Sequence, residues 1–288
     1  YADLADAEAE TASERRAAEL REIARICRKV PAYPAETFHE ALQSFWFIHI
    51  ALHIEQHGWS ISTGRFDQYM SPYFSAEPSS EDSRELLLSL WMKFMENIGS
   101  KIRATTFQNL TIGGQLEDGS DACNALTLAC LDATADLGMN QPALSFRWHS
   151  NISQAVWEKV VETISKGSGM PALFNDAVII PALIEKGTTS RDAFNYGIVG
   201  CVEAAVPGKQ QGVTAGGHIN LAKALELALN NGESTTTGKK IGVSTGDPAH
   251  FDTYDQLWSA YTKQIDHLCD LNIKATHISG DEQKKHVR

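Results

Sequence analysis

The chain is short of positive charge, sparing in cysteine and without a long apolar run. Its 25 Lys and Arg stand against 36 Asp and Glu, a net charge of −11. That balance excludes nucleic acid and anionic membrane as partners held by charge. No stretch approaches the roughly 18 apolar residues of a spanning helix. The 5 cysteines, Cys27, Cys123, Cys130, Cys201 and Cys269, are odd in number, widely spread and never in a C-x-x-C pair. A disulfide framework or a zinc site is therefore not expected, and a reducing cytoplasm fits best. Internal repeats and low-complexity segments are also missing. What is present suffices for one large core or two smaller ones: 288 residues, 43% of them hydrophobic. Tyr1-Ala2-Asp3 opens inside a helical pattern without an initiator Met, and Lys284 to Arg288 stops without a cap. Both ends set the expectation of a piece cut from a longer protein.

The periodicity predicts helices separated by short strands. Residues 1–29 read as one amphipathic helix, with Leu20, Ile23, Ala24 and Cys27 on a stripe and Pro31 and Pro34 beyond it. Thr37 with Glu40 forms a capping box for a helix over 38–57 that is apolar nearly all round and so predicted to be buried. His49, His53 and His57 stand four apart on it, a spacing that can hold a metal, but no second ligand cluster lies nearby. No metal is expected. A turn-rich piece follows to Arg65, then a short helix from Phe66, a polar loop at 79–83 and a helix over 84–99. Strands are predicted at 102–112, 141–148 and 171–174, with helices at 121–136, 153–166 and after Asn175-Asp176. Cys123 and Cys130 read as core. Gly212 to Gly217 reads as small and flexible, followed by a helix over 218–230, an exposed turn-rich stretch over 233–249 and a helix over 250–277. The class is α/β, part of a closed or half-closed barrel.

One stretch organises the rest: Asn195-Tyr196-Gly197-Ile198-Val199-Gly200-Cys201-Val202-Glu203. A short buried strand, Ile198-Val199, is broken by Gly200, which permits backbone angles or an approach that a side chain would block. A thiol and a carboxylate follow, and Ala204 to Gly208 leads away as a turn-rich loop. Taken alone, Cys201 also reads as a buried structural cysteine.

The chain resembles the glycyl radical enzymes related to pyruvate formate-lyase and glycerol dehydratase. The resemblance spans essentially all of it. It rests on Phe38-His39-Glu40-Ala41-Leu42-Gln43, Gly64-Arg65-Phe66-Asp67-Gln68-Tyr69 with Pro72-Tyr73, Gly169 to Asp176, and Gly200-Cys201-Val202-Glu203 with Pro207-Gly208-Lys209. Gly-Cys-Val-Glu is the pattern of the lyase and dehydratase branch. The family implies a ten-stranded α/β barrel of two half-barrels surrounded by helices, with a central cysteine finger loop. It also implies a second loop near the C-terminus carrying a glycyl radical within an Arg-Val-x-Gly-type motif. No such motif occurs here, and His277 to Gly280 is read as polar tail, not as a substitute. Residues 1–288 are thus expected to be an internal piece of the barrel domain, with the glycyl radical domain outside it.

The same resemblance assigns roles. Cys201 would carry a thiyl radical that takes a hydrogen atom from substrate, buried away from water, and Glu203 would act as a base on the neighbouring hydroxyl, its pKa raised by burial. Trp59 and Ser60 match substrate-lining positions roughly, and His218 is a polar residue near the site. Arg65, Asp67, Asn175 and Asp176 are expected to be structural hydrogen-bonders. The chain itself would bind no cofactor. Its partners would be a small-molecule substrate, an S-adenosylmethionine iron–sulfur activating enzyme that installs the glycyl radical, and a second copy in a homodimer. The location implied is cytoplasmic, with a bacterial microcompartment as an option. Where dehydratase and choline-lyase relatives resemble Gly-Trp-His-Asp, this chain has Gly212-Val213-Thr214-Ala215. The acid that would protonate departing water or amine is missing. The pattern then resembles most the branch that cuts isethionate to acetaldehyde and sulfite. Dehydration of glycerol or propanediol, or decarboxylation of an arylacetate, is the runner-up, and a non-catalytic helical binding module is the reading of another class.

Overall fold

The computed structural model describes residues 1–55, 60–76, 81–96, 107–210 and 217–286. The chain divides into two compact units, Tyr1–Gly212 and Val213–Arg288.

The first unit opens with a helical hairpin where one helix was predicted. Helix α1 (Ala2–Ala9) and α2 (Glu14–Lys29) are separated by a turn in which Thr11 Oγ1 donates to the Glu8 carbonyl at 3.4 Å and Ser13 takes extended angles. Folding back brings Ala5 and Ala9 against Ala17, Leu20 and Ala24, a close apolar seam that a straight helix would leave wet. Arg28 locks the hairpin through Asp3 at 2.9 Å and Asp6 at 2.7 Å. Helix α2 ends just before Val30 and Pro31, whose ring cannot continue a helix.

Helix α3 (Phe38–Glu55) begins as predicted, with the Glu40 amide donating to Thr37 Oγ1 at 3.2 Å. The Glu40 carboxylate reaches one residue further back than a capping box requires, to the Glu36 amide at 2.9 Å. It is also clasped by Lys29 at 2.7 Å and Arg25 at 3.1 Å, with only 1% of its side chain exposed. The expectation that α3 is buried all round is not met. Phe38, Ala41, Leu42, His49 and His53 are buried, while Ile48, Leu52 and Ile54 are exposed, because the helix packs along one face. The histidine stripe makes an internal contact instead of a ligand set. His49 and His53 place their Nε2 atoms 3.0 Å apart, and His49 Nε2 lies 2.9 Å from Gln108 Oε1. Burial pulls the His49 imidazole down to about 4, so it is neutral at pH 7. His57 lies outside the described residues.

Helices α4 (Phe66–Ala76) and α5 (Glu81–Glu96) follow. Glu81 to Ser83, read as loop, already belong to α5; Ser79 and Ser80 lie outside the described residues. Then come β1 (Asn109–Gly113), α6 (Ala125–Leu137), β2 (Ala143–Trp148), α7 (Gln154–Ser165), β3 (Ala172–Asn175), α8 (Asp176–Glu185) and α9 (Ser190–Phe194). The predicted strand over 102–112 is seen from Asn109 on; residues 102–106 are outside the described set. Helix α6 starts later than predicted because Asn124 caps it, accepting from the Leu126 and Thr127 amides. Strands β1, β2 and β3 form a three-stranded parallel sheet, with Thr111 opposite Ser145 and Arg147 opposite Phe174. Parallel strands need crossovers, and α6 and α7 supply them.

The sheet's two faces differ. Leu110, Ile112, Leu144 and Phe146 point into the main core with Phe38, Phe66, Trp91, Phe94 and Leu126. Asn109, Thr111, Ser145 and Arg147 alternate with them and share the other face. Cys130 is buried as expected, whereas Cys123 is only half-buried. A final antiparallel pair, β4 (Gly197–Val199) with β5 (Glu203–Ala205), covers the polar face. Strand β5 was unforeseen: Ala204 and Ala205 are ladder residues, not loop, because they pair with Ile198 and Gly197.

In the second unit, Asn220 caps α10 (Leu221–Leu229), so this helix starts later than predicted. Residues Asn231 and Gly232 close it with positive φ, 48° and 86°. Helix α11 (Tyr254–His286) outruns its predicted end, and His277 to Gly280 are helical, not tail. The stretch between is not wholly exposed: Ser234 is buried, and Gln264 holds Val243 through both its amide (3.1 Å) and its carbonyl (2.7 Å). Residues 212–216 lie outside the described set.

Glu40 supplies a test of the α2–α3 junction. Burial opposes its charge, but Lys29, the Glu36 amide and Arg25 together bring its carboxyl from the usual 4.5 to about 2. A carboxylate with a lowered folded-state pKa contributes fully above the unfolded value and loses that contribution as the pH falls through the folded one. Urea unfolding midpoints should therefore drop between about pH 5 and pH 2 more steeply for the native protein than for Glu40→Gln. Parallel pH profiles would remove Glu40 from the acid response.

Candidate active site

Cys201 sits at the tip of the β4–β5 hairpin and is exposed. This is not the packed thiol of a structural cysteine, nor is it the buried thiol expected for radical chemistry. Gly200 makes the tip possible. Its φ of 62° is left-handed, and a Cβ there would stand 2.9 Å from Glu203 Oε2. The Glu203 carboxylate folds back over the turn and accepts the Val202 amide at 3.0 Å. Glu203 itself is half-buried. Acid and thiol-bearing turn are thus held together by backbone geometry.

The polar face of the sheet grips this hairpin. Thr111 Oγ1 accepts the Ile198 amide at 2.9 Å. Asn109 Nδ2 donates to the Gly200 carbonyl at 3.1 Å and to Ser145 Oγ at 2.9 Å. Ser62 Oγ accepts the Gly200 amide at 3.0 Å. Gly64 and Gly197 approach so closely that a Cβ on Gly197 would lie 3.2 Å from Gly64 Cα. At Gly200 the expectation is met by left-handed angles and by the Glu203 side chain, whereas the close approach of backbone to backbone falls at Gly197, on the way into the hairpin.

A buried ion pair fixes the hairpin's root. Arg147 and Asp176 are both fully buried and meet in bidentate fashion, at 2.9 and 2.8 Å. Arg147 Nη1 also donates to the carbonyls of Phe194 (3.0 Å) and Tyr196 (2.9 Å), and its guanidinium lies 3.9 Å over the Tyr196 ring. The Tyr196 hydroxyl donates to Asp176 Oδ1 at 2.6 Å. Arg65 adds bonds to the Gly113 carbonyl (3.1 Å) and the Phe194 carbonyl (3.2 Å), and burial, with Arg147 nearby, brings it down to about 10. Asp67 accepts the Gly113 amide at 2.8 Å and the Thr127 hydroxyl at 2.6 Å. Asn175 caps α8 at the Ala177 amide, 3.0 Å. Arg65, Asp67, Asn175 and Asp176 thus all bond within the framework.

The remaining candidate residues are Ser60, Trp59 and His218. Ser60 donates its hydroxyl to the Phe107 carbonyl at 2.9 Å, where it bridges the lead-in to β1. Trp59 lies outside the described residues. His218 belongs to the second unit and lines a cavity of about 340 Å³ there with Asn220, Lys223 and Asn272. Among the described residues no cluster of His, Cys, Asp or Glu could hold a metal. Sequence reasoning missed Asn109, Thr111, Ser145 and Arg147. Their signal was present: polar residues at every second position of otherwise apolar, buried strands.

A cysteine hairpin laid on the polar face of a parallel α/β sheet defines a class, and comparison with known proteins gives it a name. The profile described as pyruvate formate lyase-like matches residues 1–288, and the chain belongs to that family. It is 38% identical to an isethionate sulfite-lyase from Desulfovibrio desulfuricans, over 91% of this chain and 33% of that protein. Among solved structures it matches the glycerol-bound B12-independent glycerol dehydratase from Clostridium butyricum, at 37% identity and a TM-score of 0.87, over 96% of this chain and 36% of that one. A glycyl radical enzyme from Archaeoglobus fulgidus matches at 35% identity and a TM-score of 0.82, over 96% of this chain and 37% of that one. The fold is the α/β fold of the glycyl radical enzymes. The chain spans about a third of the length of these relatives.

Gly200→Ala tests the tip. A left-handed alanine costs about 1–2 kcal/mol, and its methyl would push the Glu203 carboxylate aside. Urea unfolding should show that loss, and a structure of the variant should show Glu203 moved off Val202. An unchanged midpoint would mean that the turn does not need glycine.

Proposed function

We propose that the full-length protein is a glycyl radical lyase in which Cys201 is the hydrogen-atom carrier and Glu203 the base, cleaving the C–S bond of isethionate. The observation that carries the radical chemistry is the Gly200 turn, which presents an exposed thiol and folds the Glu203 carboxylate against the same turn. A glycyl radical, held by a residue outside these 288 and installed by an S-adenosylmethionine iron–sulfur activating enzyme, supplies the oxidation of the thiol to a thiyl.

The steps then balance on this chain's residues. The Cys201 sulfur takes a hydrogen atom from the carbon bearing the hydroxyl. Glu203 takes the hydroxyl proton, which gives a ketyl radical anion. Its electron density expels sulfite from the neighbouring carbon and leaves a formylmethyl radical. Cys201 returns the hydrogen atom to that carbon, yielding acetaldehyde and the thiyl again, and Glu203 releases its proton to solvent as the products leave. Such a sequence needs water kept out, and Cys201 is exposed in this chain. The covering walls would come from the parts of the parent protein that this chain does not span, as would the sulfonate-binding side chains. Trp59, Ser60 and His218 remain candidates for lining the substrate.

Identity does not separate the substrates, since the sulfite-lyase and the glycerol dehydratase match equally well. The choice of isethionate rests on Val213-Thr214-Ala215, where an acid would be needed to protonate departing water or amine. Sulfite leaves as a stabilised anion and needs no proton. The partners this reading implies are the activating enzyme, the small substrate and a second copy. No helix of the described residues is long and apolar enough to cross a membrane, which accords with a cytoplasmic or microcompartment setting.

In the activated full-length parent, Cys201→Ser should keep the glycyl doublet in electron paramagnetic resonance and lose turnover. Glu203→Gln should lose about 10²–10⁴-fold in kcat. Native-like rates in either variant would remove that residue from the mechanism. A substrate panel under strict anaerobiosis should release sulfite and acetaldehyde from isethionate and show poor rates on glycerol, propanediol and choline. Fast diol dehydration without sulfite would overturn the substrate, and carbon dioxide from an arylacetate would favour decarboxylation.

A further inference from the structure

We propose that Asn109 is a positioning residue for the Cys201 thiol, acting through the Gly200 carbonyl; the catalytic part of this inference rests on the lyase reading. Gly200 contributes the peptide that launches Cys201. Both of its backbone groups are held, the amide by Ser62 Oγ at 3.0 Å and the carbonyl by Asn109 Nδ2 at 3.1 Å. The two anchors come from different segments and hold successive peptide planes: Ser62 the one that ends at Gly200, Asn109 the one that leads into Cys201. The Asn109 bond therefore sets the plane from which the Cys201 Cα and its side chain depart.

The orientation of the Asn109 amide is forced. Its Nδ2 serves two acceptors, the Gly200 carbonyl and Ser145 Oγ. Reversing the amide would set oxygen against the Gly200 oxygen. The consequence is an Oδ1 that is buried and has no hydrogen-bond partner among the described residues. An orphaned buried acceptor costs about 1–3 kcal/mol. Asn109 is 1% exposed and stands beside Leu110, in a strand buried along its whole length. An apolar side chain would be free of that orphan. The structure therefore carries a polar group whose gain lies in the placement of Gly200, not in the core. Such local cost beside a reactive group is the pattern of a site held at the expense of stability. Thr111, one pleat along, anchors the Ile198 amide and leaves no orphan among the described residues; the other buried unpartnered atoms, His53 Nδ1 and Arg65 Nε, lie outside this strand.

The test uses Asn109→Leu in the full-length parent, with hydrogen–deuterium exchange and kinetics as separate readouts. The amides of residues 200–203 should exchange about fivefold faster, as befits one lost hydrogen bond of about 1 kcal/mol. Amides of the β1–β2 ladder should stay unchanged. In the activated enzyme, glycyl radical content and KM should hold while kcat falls about 10²-fold, the effect of a reacting atom displaced by about 1 Å. Leu110→Ala, on the opposite face, should instead loosen the sheet as a whole. If leucine is not tolerated, Asn109→Ala removes the same donor and should give the same local exchange. Unchanged exchange at 200–203, or acceleration spread evenly over the sheet, would overturn the proposal. A local rise together with native kcat would confine Asn109 to structure and overturn its catalytic role. Inactivity of the activated wild-type protein across the whole panel would reject the lyase reading, and the exchange result would still decide whether Asn109 places the Cys201 peptide.

Discussion

The buried pair Arg147–Asp176 is the constraint on which the candidate site depends. It joins β2 to the start of α8, and through the Phe194 and Tyr196 carbonyls it holds the root of the β4–β5 hairpin. Two charges removed from water are costly unless every lone pair and proton is used. Here Asp176 also accepts Tyr196 and the Gln115 amide, and Gly114 leaves room for the guanidinium, since a Cβ there would stand 2.5 Å from Arg147 Nε. Replacing one partner leaves the other buried and unpaired, a loss of about 3–5 kcal/mol in comparable pairs. The pair is therefore weak as a source of net stability and strong as a means of fixing one arrangement.

From that root the hairpin is pinned stepwise towards its tip: Thr111 at Ile198, then Asn109 and Ser62 at Gly200. Asn109 and Thr111 are short polar side chains on the face of the sheet opposite the aromatic core, and Ser62 comes from the segment before α4. A sheet with helices on one face and polar groups on the other divides its labour. Phe146 and Leu110 supply burial, while their neighbours Arg147 and Asn109 supply orientation. The thiol and the carboxylate thus inherit their geometry from side chains of β1, a strand distant in the chain, and Gly200 turns that geometry into a tip.

Much of this was legible beforehand. Most helices and strands fall where periodicity, Gly and Pro placed them, and Asn175 caps α8 as its type suggests. Boundaries moved where a side chain took the cap, at Asn124 and Asn220. The first helix broke in two because alanine faces could meet only by folding back. Strand β5 was hidden because Ala204 and Ala205 carry no β-branched signal, and only pairing with β4 makes them a strand. The histidine spacing on α3 left open what the side chains meet, and the described pair, His49 and His53, faces itself and Gln108.

The sequence by itself determined the α/β class, the Gly-Cys-Val-Glu motif, the net charge of −11 and the lack of an apolar run long enough for a spanning helix. Those properties are local or additive: a spacing, a glycine, a sum of charges. Only the tertiary structure decided that Cys201 stands exposed, that Glu203 folds back over Val202, and that Asn109, Thr111 and Arg147 hold the hairpin. These contacts join residues far apart in the chain, such as Asn109 and Gly200, and a hydrogen bond depends on position and direction in space, which no spacing along the sequence encodes.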